Sequence, residues 1–542
     1  MNGRSDSEVI NVMEDNCSTD SFVLTKKTVE LKLVGEPVVL QLEGINETRR
    51  LDVGTAEDPG PYWRTTYPWL ILKHDLVDNN GAVLGVMNST AKKLERNPEW
   101  RAIYEKQLTD LIDNGFAQEV SEDELGDWVK GGGKRYFIAN QMVLDEGNKS
   151  SPVRCVFNSS QVFKGYSLNN SWELGPDMTG SLNGILVRFR EGVVAAQGDI
   201  RKMYYIIRVK KEEEMMQLWL WKFAGDDKLR IFAMKCLVMG NRPSANVSQI
   251  ALKETAHLEN KFPAAKTALS SNAYVDNVFV GADNHNIVND KITEVETVTG
   301  QTGFTFKPWM ISGQTGGQVQ IGGPPSDNVE KALGLFWDVE NDKLFVKVQI
   351  DGKKRKLVLT LNSYIENPEL KLTIRDCLSL HAQCFDPIGI NLPVKMTGMI
   401  LFQRTLQFLS AQNRANGEAK KLPWDQEVVG DLRVKWMDYF RMLEGVKDIC
   451  FPRSVKPSNY DPAVRPTVVT FSDGNKDPFG AVLYLLWSLI GGEREAQERF
   501  HRDVNTVVAA IRQEFWITGL RKIVSTIDRN CRSCRISGKK LA

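Results

Sequence analysis

The sequence predicts an α+β multidomain protein, and three patterns carry that prediction. Strand-like and helix-like segments mix from residue 130 to about 350, punctuated by Gly and Pro. Residues 370–450 are rich in Leu, Met, Phe and Trp and read as mainly helical. At 542 residues the chain exceeds what one hydrophobic core serves, so about three or four domains are expected.

Apolar residues make up 42% of the chain and charged residues 25%, the balance of a globular protein rather than a disordered one. Lys and Arg number 69 against 68 Asp and Glu, so any affinity for nucleic acid has to come from local basic surfaces. Eight cysteines stand at 17, 155, 236, 377, 384, 450, 531 and 534, and only the last two are close. That spacing argues against a disulfide framework and for a reducing compartment. The polar N-terminus has no apolar segment of signal-peptide type. The longest nearly uninterrupted apolar run, Ala481 to Ile490, is about half of a membrane span. An intracellular protein, cytoplasmic or nuclear and not secreted, with no membrane partner, is the expectation.

Taken in order, residues 1–53 alternate apolar and polar positions (Val29-Glu-Leu-Lys-Leu-Val, then Pro37-Val-Val-Leu-Gln-Leu), a β pattern. A linker is expected over 54–84, opening Gly54-Thr-Ala-Glu-Asp-Pro-Gly-Pro. Helical spacing within 69–120 is carried by Trp100, Ile103, Tyr104, Leu108, Leu111 and Ile112. A short strand pair is expected around 467–487, and 494–542 reads as a small, basic, helical tail.

Three motifs point to chemistry. Gly198-Asp199-Ile200-Arg201-Lys202-Met203-Tyr204 follows the apolar run Val193-Val-Ala-Ala, placing an Asp at a strand end with an aromatic five residues on. A polymerase palm needs that pair: the carboxylate holds divalent cations that clamp the attacking and leaving oxygens, and the ring sits beneath the incoming sugar. A strand-end Asp that merely caps the next turn explains this motif alone equally well. Val238-Met239-Gly240-Asn241-Arg242-Pro243-Ser244 opens a helix and could cradle a template with small residues, or could be only a turn. The third is Tyr274-Val275-Asp276-Asn277, between Ala273 and Val278-Phe279-Val280, which reads as a tight strand-turn-strand hairpin 77 positions after Asp199. The three in this order are the pattern of a polymerase palm.

With these motifs go Tyr136-Phe-Ile-Ala-Asn-Gln-Met-Val, Pro152-Val-Arg-Cys-Val-Phe-Asn-Ser-Ser, Gly303-Phe-Thr-Phe-Lys-Pro-Trp, Leu333-Gly-Leu-Phe-Trp-Asp, Cys384-Phe-Asp-Pro-Ile-Gly, Leu422-Pro-Trp-Asp and Phe451-Pro-Arg. Together they resemble the Pol polyprotein of BEL/Pao-type LTR retrotransposons over nearly the whole chain. The resemblance implies a right-hand reverse-transcriptase core, with fingers and palm at 85–350 and a helical thumb and connection at 351–460. It implies that Asp199 and Asp276 bind Mg²⁺ or Mn²⁺ and that Tyr204 gates against the ribose 2′-OH. Arg154 would touch the incoming triphosphate, with Gly240 and Lys307 also on the substrate side. The implied partners are an RNA/DNA primer-template and dNTPs.

Four departures from the family pattern shape the functional expectation. Asn277 stands where a second Asp is expected, removing one negative charge from a site that gathers two cations. Residues 1–53 look like a truncated aspartic-peptidase segment, with Asp15 in Glu14-Asp-Asn-Cys17 and Cys17 in place of a Gly. A surface Asn/Ser turn explains that segment as well. Residues 461–490 look like an RNase H remnant, with Asp473 as the first of four acids and no room for the others. Residues 491–542 resemble the integrase zinc-binding module, with His501, Cys531 and Cys534 as Zn²⁺ ligands and the first His missing. A metal-free helical pair with two free thiols is the alternative there. The expectation is a degenerate RNA-directed DNA polymerase that binds nucleic acid with little or no catalysis. The alternative is a working reverse transcriptase that tolerates Asn277.

Overall fold

The computed structural model describes residues 51–55, 58–144, 152–258, 260–313, 329–332, 335–346, 351–354, 357–367, 369–417, 424–446, 450–474, 479–490 and 494–502. The N-terminal β expectation for 1–50 lies outside them.

Strands β1 (Leu51–Thr55) and β2 (Asp58–Thr65) pair antiparallel and are followed by helices α1 (Asn80–Leu94) and α2 (Pro98–Asp113). The second helix begins where its sequence says it should: Asn97 accepts from the Trp100 N–H at 3.2 Å, and Pro98 occupies the first turn. After β3 (Ala117–Glu119), α3 (Glu122–Lys130) is capped by Ser121, which accepts from the Glu124 N–H at 3.1 Å. The hairpin of β4 (Ala139–Leu144) and β5 (Val153–Asn158) follows, then α4 (Leu182–Phe189).

Strand β6 (Val194–Asp199) leads to β7 (Arg208–Val209), β8 (Leu218–Trp221), β9 (Arg230–Met234), α5 (Ser244–Thr255) and α6 (Pro263–Ser271). Strands β10 (Ala273–Tyr274) and β11 (Asn277–Ala282), helix α7 (His285–Gly300) and β12 (Met310–Ile311) complete a four-stranded sheet in the order β10-β11-β6-β12. Successive strand residues point to opposite faces, and this sheet uses both. Val194 and Ala196 of β6, with Val278 and Val280 of β11, join a core shared with α1, α2, β8 and β9. Ala195 and Phe279 join a second core with Trp337, Leu344, Leu372, Trp436 and Phe440. The near-continuous apolar run of each strand follows from that double burial.

The second core draws on β14 (Leu335–Asp338) and β15 (Lys343–Phe345) with helices further along the chain, and β13 (Val329–Ala332) pairs antiparallel with β14. After the hairpin of β16 (Asp351–Lys354) and β17 (Leu357–Thr360) come α8 (Ile374–Ala382), α9 (Leu392–Ala415) and α10 (Gly430–Gly445). Helix α8 starts in a capping box: the Thr373 N–H donates to Asp376 Oδ2 at 2.9 Å, and the Asp376 N–H donates to Thr373 Oγ1 at 3.2 Å. This core crosses the expected border at residue 350, since Trp337 and Trp436 share it. Strand β18 (Cys450–Pro452) returns to pair with β15, and β19 (Thr467–Gly474), β20 (Phe479–Ser488) and β21 (Arg494–Arg502) form a separate sheet.

Two expectations are corrected. The stretch taken as a linker, 54–84, is docked: β2 pairs in parallel with β7, and Trp63 Nε1 donates to Thr255 Oγ1 at 2.8 Å. Its Pro and Gly residues suggested a spacer, but Trp63 and Tyr67 bury their rings and hold it down. The tail read as helical begins as strand β21, antiparallel to β20 from Ser488↔Arg494 to Ala481↔Arg502. An apolar strand such as β20 exposes two ladder edges, and β19 covers only one.

Helix α9 approaches its neighbours closely at Gly398, where a Cβ would lie 2.3 Å from Tyr439 Cζ and 2.7 Å from His381 Nδ1. His381 Nδ1 and the Tyr439 hydroxyl are 2.6 Å apart, and burial pushes the imidazole down to about 4 from its ordinary 6.5. Between those two values the unfolded chain binds a proton that the folded chain refuses. Stability is therefore lost as pH falls from about 6.5 to about 4. We expect hydrogen-exchange protection of helix α8 to fall less steeply over that window in His381→Gln than in the parent; equal slopes would remove His381 from the acid sensitivity.

Candidate active site

The end of β6 meets the β10–β11 turn. Asp199 is in register with Asn277, and the Ile200 N–H donates to the Asp276 carbonyl at 2.8 Å, so Asp276 sits in the turn beside Asp199. The turn between Tyr274 and Asn277 has two residues, and Val275 adopts φ 54°. A β-branched residue in the left-handed region is strained, and such strain persists only where surroundings hold it. Gln249 of α5 does so, donating from Nε2 to the Val275 carbonyl at 2.8 Å.

Each carboxylate has an internal partner. Lys307 Nζ lies 3.0 Å from Asp199 Oδ1, and the Lys307 N–H donates to the Asp199 carbonyl at 2.8 Å. The pair is partly open to solvent, at 51% and 33% exposure, so its attraction is screened. Asn277 Nδ2 donates to Asp276 Oδ1 at 3.2 Å, while Gln197 Nε2 donates to Asn277 Oδ1 at 3.0 Å. Burial first, then the nearby charge of Asp199, raises the Asp276 carboxyl above its usual range. Tyr204, packed against the first core, has its phenol raised by burial and then by Asp276. Gly198 has no room for a side chain, since a Cβ would lie 2.8 Å from the Trp309 ring.

The structure thus brings together five of the residues singled out from sequence: Asp199, Asp276, Asn277, Tyr204 and Lys307. Arg154 stands exposed on β5, in register with Val143, in the separate β4–β5 sheet. Gly240 adopts φ 99° at the turn before α5. Asn169 holds that turn, donating to the Gly240 carbonyl at 2.9 Å and accepting from the Arg242 N–H at 2.8 Å. Beneath it lies a buried network the sequence did not reveal. Asn241 Nδ2 donates to the Tyr67 hydroxyl at 2.8 Å, that hydroxyl donates to Gln217 Oε1 at 3.0 Å, and Ser159 Oγ donates to Asn241 Oδ1 at 2.5 Å.

Of the other candidates, Asp473 is on β19 opposite Gly480, and His501 is on β21 opposite Val482. Asp15, Cys531 and Cys534 lie outside the described residues. Among the described residues, no group of three or more His, Cys, Asp or Glu side chains is placed to hold a metal ion. Mg²⁺ and Mn²⁺ take oxygen donors, and the carboxylates of Asp199 and Asp276 are donors of that kind. The amide of Asn277 turns its nitrogen, not its oxygen, toward Asp276.

Comparison with known proteins adds three findings. No curated protein matches the chain. A solved structure of a foamy viral protease-reverse transcriptase in complex with double-stranded DNA is similar at a TM-score of 0.41 and 10% identity, over 72% of this chain and 54% of that chain. This chain therefore spans about half the length of that one. The family model described as a Pao retrotransposon-like RNaseH-like domain matches residues 373–498. That match begins in the helices expected as thumb and connection, at the capping box of α8, and runs into β21. Residues 373–498 are thus similar to the Pao retrotransposon-like RNaseH-like domain.

Proposed function

We propose that this chain is a Pol-type protein of a retroelement whose palm binds a primer-template but polymerises little or not at all. The observation that supports it is the Asn277 amide, which donates to Asp276 where a second carboxylate would face the cations. In this reading residues 85–350 are fingers and palm, and Asp199 and Asp276 would hold Mg²⁺ or Mn²⁺. The bound cation supplies charge neutralisation at the transferring phosphoryl group. Tyr204 stands beneath the incoming sugar, while Gly240 and its network shape the template side. Lys307, already against Asp199, and Arg154 on β5 answer to triphosphate charge. Aspartic-peptidase and RNase H roles for Asp15 and Asp473, and zinc at His501, Cys531 and Cys534, belong to the same proposal as relics of the ancestral polyprotein. A second reading, a working reverse transcriptase, draws on the retained hairpin with its strained Val275.

Binding is tested with a fluorescent RNA template annealed to a DNA primer, read by anisotropy. The expected result is association in EDTA as well as in Mg²⁺, weakening steeply with salt as phosphate contacts release counterions. Absence of binding at low salt would overturn the proposal.

A further inference from the structure

Two residues before Asp199 on the same strand, Gln197 is buried, at 6% exposure. It stands in register with Phe279 on one side and Met310 on the other. Its Oε1 is buried without a hydrogen-bond partner, and its Nε2 donates to Asn277 Oδ1 at 3.0 Å. A buried amide with one end unsatisfied is costly, so the bond it does make constrains its neighbour strongly. The consequence lies in the asymmetry of an amide. With Oδ1 of Asn277 held by Gln197, Nδ2 is turned to Asp276, where it donates at 3.2 Å. A nitrogen bearing two hydrogens cannot ligate a cation, whereas the oxygen of the same amide can.

We propose that Gln197 is a positioning residue that keeps the one ligating atom of Asn277 away from the carboxylate pair. The inference rests on the reading of Asp199 and Asp276 as the cation-binding pair. Weak cation affinity is then set by two residues acting together, not by position 277 alone. A carboxylate at 277 escapes this control because both of its ends are oxygens: Gln197 can hold one while the other faces the cation. Asn277 has no such second oxygen. The effect of removing Gln197 therefore depends on which residue occupies 277.

The test is Mn²⁺ binding to the full chain by isothermal titration calorimetry, for the parent, Gln197→Leu, Asn277→Asp and the double variant. Leucine fits a buried strand position and is as neutral as glutamine, so a change in affinity does not come from net charge. Gln197→Leu is expected to tighten Mn²⁺ about tenfold in the parent, the size typical of an outer partner that orients a ligand, and to do little beside Asn277→Asp. Equal affinity in the parent and Gln197→Leu, with tightening by Asn277→Asp, would overturn the role of Gln197 and leave the cation pair standing. Equal tightening in both backgrounds would also overturn it, because orientation of the amide would not be the cause. Mn²⁺ binding by none of the four would sink the cation pair and this inference together. Should circular dichroism show that Gln197→Leu misfolds, Gln197→Met, of similar length, carries the same expectations.

Discussion

Replacing Arg453 with leucine is expected to unfasten the segment around β18 from the four-stranded sheet and to lower stability by about 3–5 kcal/mol, the cost of breaking a buried ion pair on one side. Arg453 is 0% exposed, and all five of its N–H donors are engaged. Nε donates to Asp342 Oδ1 at 2.7 Å and Nη2 to Asp342 Oδ2 at 2.8 Å, a two-pronged pairing. Nη1 donates to the Phe189 and Gly192 carbonyls at 2.6 and 3.0 Å, and Nη2 to the Val193 carbonyl at 2.8 Å. Those three carbonyls belong to the end of α4 and the approach to β6, the strand that ends in Asp199. Leucine would orphan them and leave Asp342 without its guanidinium partner, with Trp337 Nε1 still donating to it at 2.9 Å. Lysine would not rescue, because a point charge cannot reach five acceptors in a fork. A chain this long does not unfold in one step, so the readout is local: hydrogen exchange at 450–456 and at 190–194. Both segments should lose protection in Arg453→Leu, and parent-like protection in either would refute the coupling.

How far the sequence could be read depended on whether its signals were local. The hairpin at 274–277 and the strand ending at Asp199 were legible because alternation, small residues and turn chemistry are written in consecutive positions. Helix α2 was legible from apolar spacing over several turns, and the helices of 370–450 from a composition rich in Leu, Met, Phe and Trp. The docked stretch at 54–84 was not, because its opening Gly54-Thr-Ala-Glu-Asp-Pro-Gly-Pro reads as a spacer while two buried aromatics decide its fate. Strand β21 was missed for the opposite reason: Arg494-Glu-Ala-Gln-Glu-Arg looks like an exposed helix, and only the open edge of β20 recruits it as a strand. In the site, the carboxylates and Asn277 came from motif order, but their partners did not. Lys307 reaches Asp199 across 108 positions, and Arg453 reaches Asp342 across 111. Gln197 carries no pattern at all, since a lone polar residue in an apolar strand announces nothing until its neighbour across the ladder is known.

Asn277→Asp is expected to raise polymerase activity about a hundredfold or more, the size typical of restoring one electrostatic element of a transition state. The substitution replaces an N–H₂ that faces Asp276 with an oxygen. It returns a negative charge beside a pair in which burial, and then the charge of Asp199, already raise the Asp276 carboxyl. The turn backbone need not move, because Gln249 holds the Val275 carbonyl and the ladder from Asn277 to Ala282 is made by the backbone. Asp276→Asn added to Asn277→Asp should abolish the gain. The decisive measurement is extension of a DNA primer on an RNA template with Mg²⁺ or Mn²⁺, comparing the parent with Asn277→Asp at equal occupancy of the duplex. Extension confined to the substituted protein is the predicted result. Extension by the parent at a comparable rate would contradict the account and make this chain a working reverse transcriptase.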